Sequence, residues 1–187
     1  MKKDKEDDNR YEPQIANIYL LFENIDNDSA SRVCEWILHN NYVNNPQPDF
    51  LNLIINSPGG SLLDAYAIID IMESSRIPVR TIGLGCVQSA GLMVFLAGEK
   101  GHRILTPNTS IMSHQYSWCA EGKHNELIAI NKEYELTYSR MLNHYKKYTK
   151  LSITNIKKYL LPSEDMYLSA EEALNYKICD KISLLNT

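Results

Sequence analysis

Long apolar runs are missing from this 187-residue chain. None approaches the roughly 20 residues that a membrane-spanning helix needs. The longest candidate, residues 87–98, has the length of a buried helix, so no membrane partner is expected. An excess of positive charge is missing too: the formal net charge is −4, which argues against a chain that wraps nucleic acid. Cysteine is sparse. Cys34, Cys86, Cys119 and Cys179 form no C-x-x-C pair and no zinc-finger spacing with histidine, so free, mostly buried thiols and no metal are expected. Residues 1–10 are nearly all charged or amide-bearing and lack the apolar stretch of a secretory leader. Internal repeats and Gly/Ser linkers are absent as well. These features predict a cytoplasmic protein with a polar, mobile tail over 1–17 and a single domain over 18–187.

What is present is an alternation of strand-length and helix-length patterns, in a chain whose hydrophobic share of 44% is ordinary for a globular domain. Residues 18–22 (IYLLF) read as a strand. Residues 27–41 read as a helix, with Asp28 or Ser29 as its cap and Val33, Trp36 and Ile37 at helical spacing. The Asn- and Pro-rich stretch 40–49 is a loop. Residues 50–55 (FLNLII) form a continuous apolar run that suits a parallel strand buried on both faces. A turn at 56–60 leads into a helix opened by Ser61, with Asp64 at capping-box spacing, which ends before Pro78. Residues 79–84 (VRTIGL) are the next strand, 85–88 a turn, and a second helix begins near Ser89. Short strands follow at 102–105 and 110–113. A long helix over 121–147 carries Leu127, Ile130, Tyr134, Tyr138, Met141 and Tyr145 at steps of three and four. A short helix over 152–159 and a helix capped by Ser169 with Glu172 at the capping-box position follow, and residues 182–185 close the chain. The class is α/β with a largely parallel sheet.

Two glycine-bearing turns follow adjacent strands, and each leads directly into a helix. In open α/β sheets reactive groups gather at the carboxyl ends of strands, where such turns sit. Helix starts there offer free N–H groups and a positive dipole end, an arrangement suited to a developing oxyanion. The first turn, Ser57-Pro58-Gly59-Gly60, lets bare backbone approach a ligand. The second places Ser89 at a helix start, where its hydroxyl and the following N–H face one spot. Each feature has a plainer meaning: a serine at a helix start is commonly an N-cap, and Pro-Gly-Gly is commonly only a turn.

Four blocks in order carry a resemblance. Asn56-Ser57-Pro58-Gly59-Gly60-Ser61, Gln88-Ser89-Ala90-Gly91, Met112-Ser113-His114-Gln115, and the stretch from Asp165 through Met166-Tyr167-Leu168-Ser169-Ala170 to Ala173 together resemble the Clp protease proteolytic subunit, ClpP. The resemblance covers residues 18–184. It implies a ClpP/crotonase-like fold with a protruding handle helix, and a serine endopeptidase of the ATP-dependent type that cleaves unfolded polypeptides and needs no cofactor. It assigns Ser89 as nucleophile, His114 as base and Asp165 as the residue orienting the histidine. It assigns the backbone N–H groups of Gly60 and Ala90 as the oxyanion hole, where loss of one such donor costs on the order of 3–4 kcal/mol. The chemistry needs this set, since a neutral serine hydroxyl is a poor nucleophile without a base in reach. Glu164 competes with Asp165, but neighbouring residues of an extended stretch point opposite ways and only one can face His114. The resemblance also implies homo-oligomeric heptameric rings, with two rings stacking through the handle helix.

The departures are specific. Ala90 replaces the motif methionine, Gln88 a small residue, and Lys177 a glycine, so the helix end at Lys177 is expected to be capped differently. The interval from His114 to Asp165 is slightly long, which suggests a loop insertion. The glycine-rich handle strand is replaced by residues 116–122 (YSWCAEG), which bears on how an extended peptide would pair beside the site. The family's N-terminal gating and ATPase-docking segment has no clear counterpart, so a Clp ATPase partner is not supported by this N-terminus. The other readings are a non-catalytic subunit of a mixed ring, a capsid-maturation-type protease, and a crotonase-like acyl-CoA enzyme.

Overall fold

Parallel strands need crossovers, and the alternation in this sequence supplies them. The computed structural model describes residues 17–43 and 46–185. Strands β1 (Ile18–Leu21), β2 (Leu51–Ser57), β3 (Val79–Gln88), β4 (Arg103–Leu105) and β7 (Lys181–Ile182) lie in the order β1-β2-β3-β4-β7, every pair parallel. Strand β5 (Ser110–Ser113) joins the far end of β3 in parallel, and β6 (Met166–Leu168) pairs antiparallel with β5. The helices are α1 (Asn27–Tyr42), α2 (Leu62–Ser74), α3 (Ala90–Leu96), α4 (His124–Thr149), α5 (Ile153–Tyr159) and α6 (Ala170–Asn175). Helix α3 is apolar on every side and wholly buried, so it forms the centre of the core. Of the tail expected over 1–17, residues 1–16 lie outside the described residues. Asn17 already belongs to the sheet edge, its carbonyl accepting from the Asn52 N–H at 2.8 Å.

Three expectations shift. Helix α1 is capped by Asp26, not by Asp28 or Ser29. Asp26 Oδ1 accepts from the Ser29 N–H and Ser29 Oγ from the Asp26 N–H, both at 2.9 Å, so Ser29 is the inner partner of a capping box. Strand β2 closes off one face only: Leu51, Leu53 and Ile55 are buried, whereas Asn52, Ile54 and Asn56 are half-buried. On that second face Asn52 pairs with Arg80, whose guanidinium donates to Asn52 Oδ1 and covers the Phe50 ring. Strand β3 runs through the expected turn at 85–88. Ile55 faces Gly83 but Ser57 faces Val87, so β3 carries a bulge there, with Gly85 at φ 66°. Before the bulge β3 pairs with β4, and after it with β5.

Helix α4 has two halves. Thr137, Met141, His144, Tyr145 and Thr149 are buried against the domain, while Leu127, Ile128 and Leu136 are exposed on the half that projects. His144 pins the buried half to the core by donating Nε2–H to the Met93 carbonyl of α3 at 2.8 Å. Burial pushes its imidazole down to about 4, against the upward pull of that carbonyl and of Glu73. At the other end of the chain, Asp180 accepts from Gly101 N–H and from the backbone and guanidinium of the buried Arg103, which fixes the last strand beside β4. Burial works to raise the Asp180 carboxyl, but these Arg103 bonds outweigh it and hold the carboxyl low.

The cap after α6 is made in the ordinary way, contrary to the expectation from Lys177. Lys177 takes φ 62°, its N–H reaches the Leu174 carbonyl, and Ile178 N–H reaches the Ala173 carbonyl, a Schellman arrangement. The geometry is a backbone requirement, and a lysine can meet it at a cost.

Two outcomes follow from these contacts. Neutral in the folded state, His144 binds its proton more readily once unfolded, so stability falls as pH drops from 6.5 towards about 4. His144→Gln, which keeps a neutral donor, should lose up to about 3 kcal/mol of that dependence, seen in urea unfolding at pH 7 and pH 4.5. Lys177→Gly should raise stability by about 1 kcal/mol, read as a higher urea midpoint at unchanged m value.

Candidate active site

The bulge in β3 aims the chain at its next turn. Asn56 Oδ1 accepts from Cys86 N–H at 3.0 Å, and a Cβ on Gly85 would lie 2.5 Å from that same oxygen. Three residues after Cys86, Ser89 stands at φ 52°, ψ −122°, a conformation L-residues rarely adopt and one that costs of order 1–3 kcal/mol. The surroundings over-determine it. Ser89 N–H donates to the Met112 carbonyl of β5, and the Ser89 carbonyl accepts from Leu92 and Met93 at the start of α3. The Ser89 hydroxyl makes no capping bond to its helix, so it is not a plain N-cap. It lies 2.7 Å from His114 Nε2 instead.

His114 follows the last residue of β5. Because β5 runs parallel to β3, with Gln88 opposite Met112, the strands' ends bring Ser89 and His114 together. Beside it, Gln88 Nε2 donates to Ser110 Oγ at 3.4 Å. The antiparallel pairing of β5 with β6 places Asp165: Ile111 faces Leu168 and Ser113 faces Met166, a register that sets Asp165 opposite His114. Asp165 Oδ1 lies 3.5 Å from His114 Nδ1. That contact is longer than a good hydrogen bond, and the Asp165 side chain is 54% exposed against 25% for His114. Glu164 is exposed and is not the carboxylate next to the ring. With Nδ1 towards the carboxylate, Nε2 is the ring nitrogen that faces the Ser89 hydroxyl.

The glycine turn closes the site. Gly59, at φ 100°, has no space for a side chain: a Cβ would lie 2.7 Å from Ser89 Cβ and 2.9 Å from Ala90 N. Gly60 forms a lone parallel bridge with Ile25, in which Ile25 N–H donates to Gly59 O and Ser61 N–H to Ile25 O. Alternation along that bridge turns Gly60's own N–H to the opposite side. Ala90 is the first residue of α3, where an N–H has no acceptor within its helix. The structure thus brings Ser89, His114 and Asp165 into contact in series, with Ala90 next to Ser89 at the start of α3 and Gly60 next to the Gly59 that abuts them.

Sequence reasoning missed several supports. Asn56 holds the β3 bulge. Ser113, fully buried, bonds both Tyr145 Oη of α4 at 2.7 Å and the Leu160 carbonyl, and Gln115 Nε2 donates to the Leu161 carbonyl at 3.1 Å. The one signal available was position: Ser113 and Gln115 flank His114.

Among the described residues no cluster of His, Cys, Asp and Glu is arranged to hold a metal ion, and no helix is long and apolar enough to cross a membrane. Cys119 is exposed, Cys34 and Cys86 are half-buried and Cys179 is buried. The family profile described as Clp protease matches residues 10–184. Among solved structures, a point mutant of ClpP1 from Listeria monocytogenes superposes with a TM-score of 0.81 at 28% sequence identity, covering 91% of this chain and 93% of that one. A profile match over nearly the whole length, on a sheet and helices that superpose with a ClpP, makes this chain a member of the Clp protease family.

Proposed function

We propose that the chain is a serine endopeptidase subunit that cleaves unfolded polypeptide through an acyl-enzyme on Ser89. The observation that carries this reading is the 2.7 Å contact between Ser89 Oγ and His114 Nε2, made by a serine held in a strained turn and not used as a cap. In the first half-reaction, Ser89 Oγ bonds to the scissile carbonyl carbon while its proton passes to His114 Nε2. Negative charge on the carbonyl oxygen is met by the N–H groups of Gly60 and Ala90. The C–N bond then breaks, and His114 gives its proton to the leaving amine. In the second half, His114 takes a proton from water, the hydroxyl adds to the Ser89 ester, and the proton returns to Ser89 Oγ as the acid leaves. Asp165 orients the ring and stabilises it when charged. None of these steps calls for a metal or an organic cofactor.

The projecting half of α4, with Leu127, Ile128 and Leu136 exposed, supports assembly of copies through this helix, in keeping with the rings of the family. We propose a heptameric ring, with pairs of rings meeting at these helices.

A second reading, a ring subunit that does not cleave, is favoured by one observation: the long His114–Asp165 contact at an exposed carboxylate. One experiment separates the two. A fluorophosphonate probe should label the assembled wild-type chain and leave Ser89→Ala unlabelled, with hydrolysis of short peptides following the labelling. His114→Ala should lower kcat by about 10⁴-fold or more, and Asp165→Asn by less, because its contact is looser. Native mass measurement should return a heptamer or a stacked pair. Assembled wild-type protein that neither takes the probe nor cleaves peptide would establish the second reading.

A further inference from the structure

The carbonyls at the end of α5 are held by the two residues that flank His114. Leu160 is the C-terminal cap residue of that helix, where carbonyls lack donors within the helix. The Leu160 carbonyl is in hydrogen-bond contact with Ser113 Oγ, and the Leu161 carbonyl accepts from Gln115 Nε2 at 3.1 Å. From these anchored carbonyls the loop 160–165 runs to Asp165, just ahead of β6.

Behind Ser113 stands a phenol. Tyr145 is among the largest fully buried side chains, and its hydroxyl lies 2.7 Å from Ser113 Oγ. Proton counting orients the chain of bonds. A carbonyl has no proton to give, so the single Ser113 hydroxyl proton goes to Leu160. Tyr145 must then donate to the Ser113 oxygen. Burial raises the Tyr145 hydroxyl further above its ordinary range, although the Ser113 bond pulls the other way, so it remains a donor at neutral pH. The result is a directed line from α4, through the residue before His114, to the loop that delivers Asp165.

We infer that Tyr145 and Ser113 are positioning residues for the His114–Asp165 pair: Tyr145 orients the Ser113 hydroxyl, and Ser113 fixes the loop that carries Asp165. The inference rests on the catalytic reading of Ser89, His114 and Asp165. At 3.5 Å the carboxylate has little distance to lose before it ceases to act on the ring. A displacement of about 1 Å in a reacting constellation costs on the order of 10²-fold in rate. The competing role is purely structural, with the two hydroxyls only satisfying each other inside the core.

Tyr145→Phe removes one oxygen and keeps the ring. It should lower kcat on a short peptide about tenfold with KM within about twofold, and slow fluorophosphonate labelling of Ser89 in parallel. Ser113→Ala should do the same, and Ser113→Thr, which retains a hydroxyl, should recover most of the rate. In an Asp165→Asn background, Tyr145→Phe should have little further effect, because both changes act through one group. Wild-type kcat and labelling rate in folded Tyr145→Phe, with only a lower melting temperature, would overturn the inference and leave the catalytic reading intact. So would an undiminished tenfold loss in the Asp165→Asn background. If Ser113→Ala does not fold, Tyr145→Phe decides alone. A wild-type chain that takes no probe overturns the catalytic reading and this inference with it.

Discussion

The end of β2 and the start of α3 touch backbone to backbone, and the rest of the site hangs on that contact. Gly59 lies against Ser89 and Ala90. A Cβ on Gly91 would lie 3.1 Å from the Ser57 carbonyl, and one on Gly60 would lie 2.2 Å from the Ile25 carbonyl. Three glycines thus join three segments, with no room for a side chain at Gly59 or Gly60 and only a tight fit at Gly91. Such closeness allows the Ser89 backbone to be held in a conformation it would not choose. It also sets the N–H of Ala90 and the glycine turn on one side of the serine. Interiors are close-packed and bistable more than continuously deformable. A strained turn walled by backbone is therefore a better mount for a nucleophile than one walled by flexible side chains.

The sheet was legible because its signals are local. Strand-length apolar runs, glycine turns and the capping serines Ser61 and Ser169 are each read from a few neighbouring residues. The misreadings have non-local causes. Gly85 looks like a turn, but Asn56 from the neighbouring strand holds Cys86 and keeps β3 extended past it. Asp26, Asp28 and Ser29 have similar capping propensity, and only the extended backbone at Asp26 selects it. The choice of Asp165 over Glu164 is made by the register of a three-residue strand, too short to stand out by periodicity. Ser89 and His114 were legible only as members of a set of motifs, since neither is distinctive alone. The bond between Ser113 and Tyr145 was not legible at all. One reads as a small residue within a motif and the other as one step of a helical stripe, and their bond spans 32 residues.

The stripe on α4 covers this chain's own core in one half of the helix and is exposed in the other. From Thr137 onward the helix is pinned by Met141, Tyr145 and the His144–Met93 bond. Before that it projects, and Tyr116 from the preceding segment lies between Tyr134 and Trp118, in ring contact with each. No regular strand forms over 116–122, where the family's handle strand would lie. The pinned half carries the phenol bonded to Ser113, the residue before His114.

That arrangement bears on why the His114–Asp165 pair needs support from the backbone. The Asp165 carboxylate is more than half exposed, so water screens its attraction to the ring, and attraction alone cannot hold it there. A buried pair would be held by the low dielectric around it; an exposed pair must be held by where the chain places its α-carbons. Here that place is fixed twice, by the antiparallel register of β5 with β6 and by the α5 carbonyls that Ser113 and Gln115 grip. The same residues that flank the histidine therefore set the distance to its carboxylate. The geometry of the pair is in this sense a property of the backbone, and the side chains that govern it are ones that never touch a substrate.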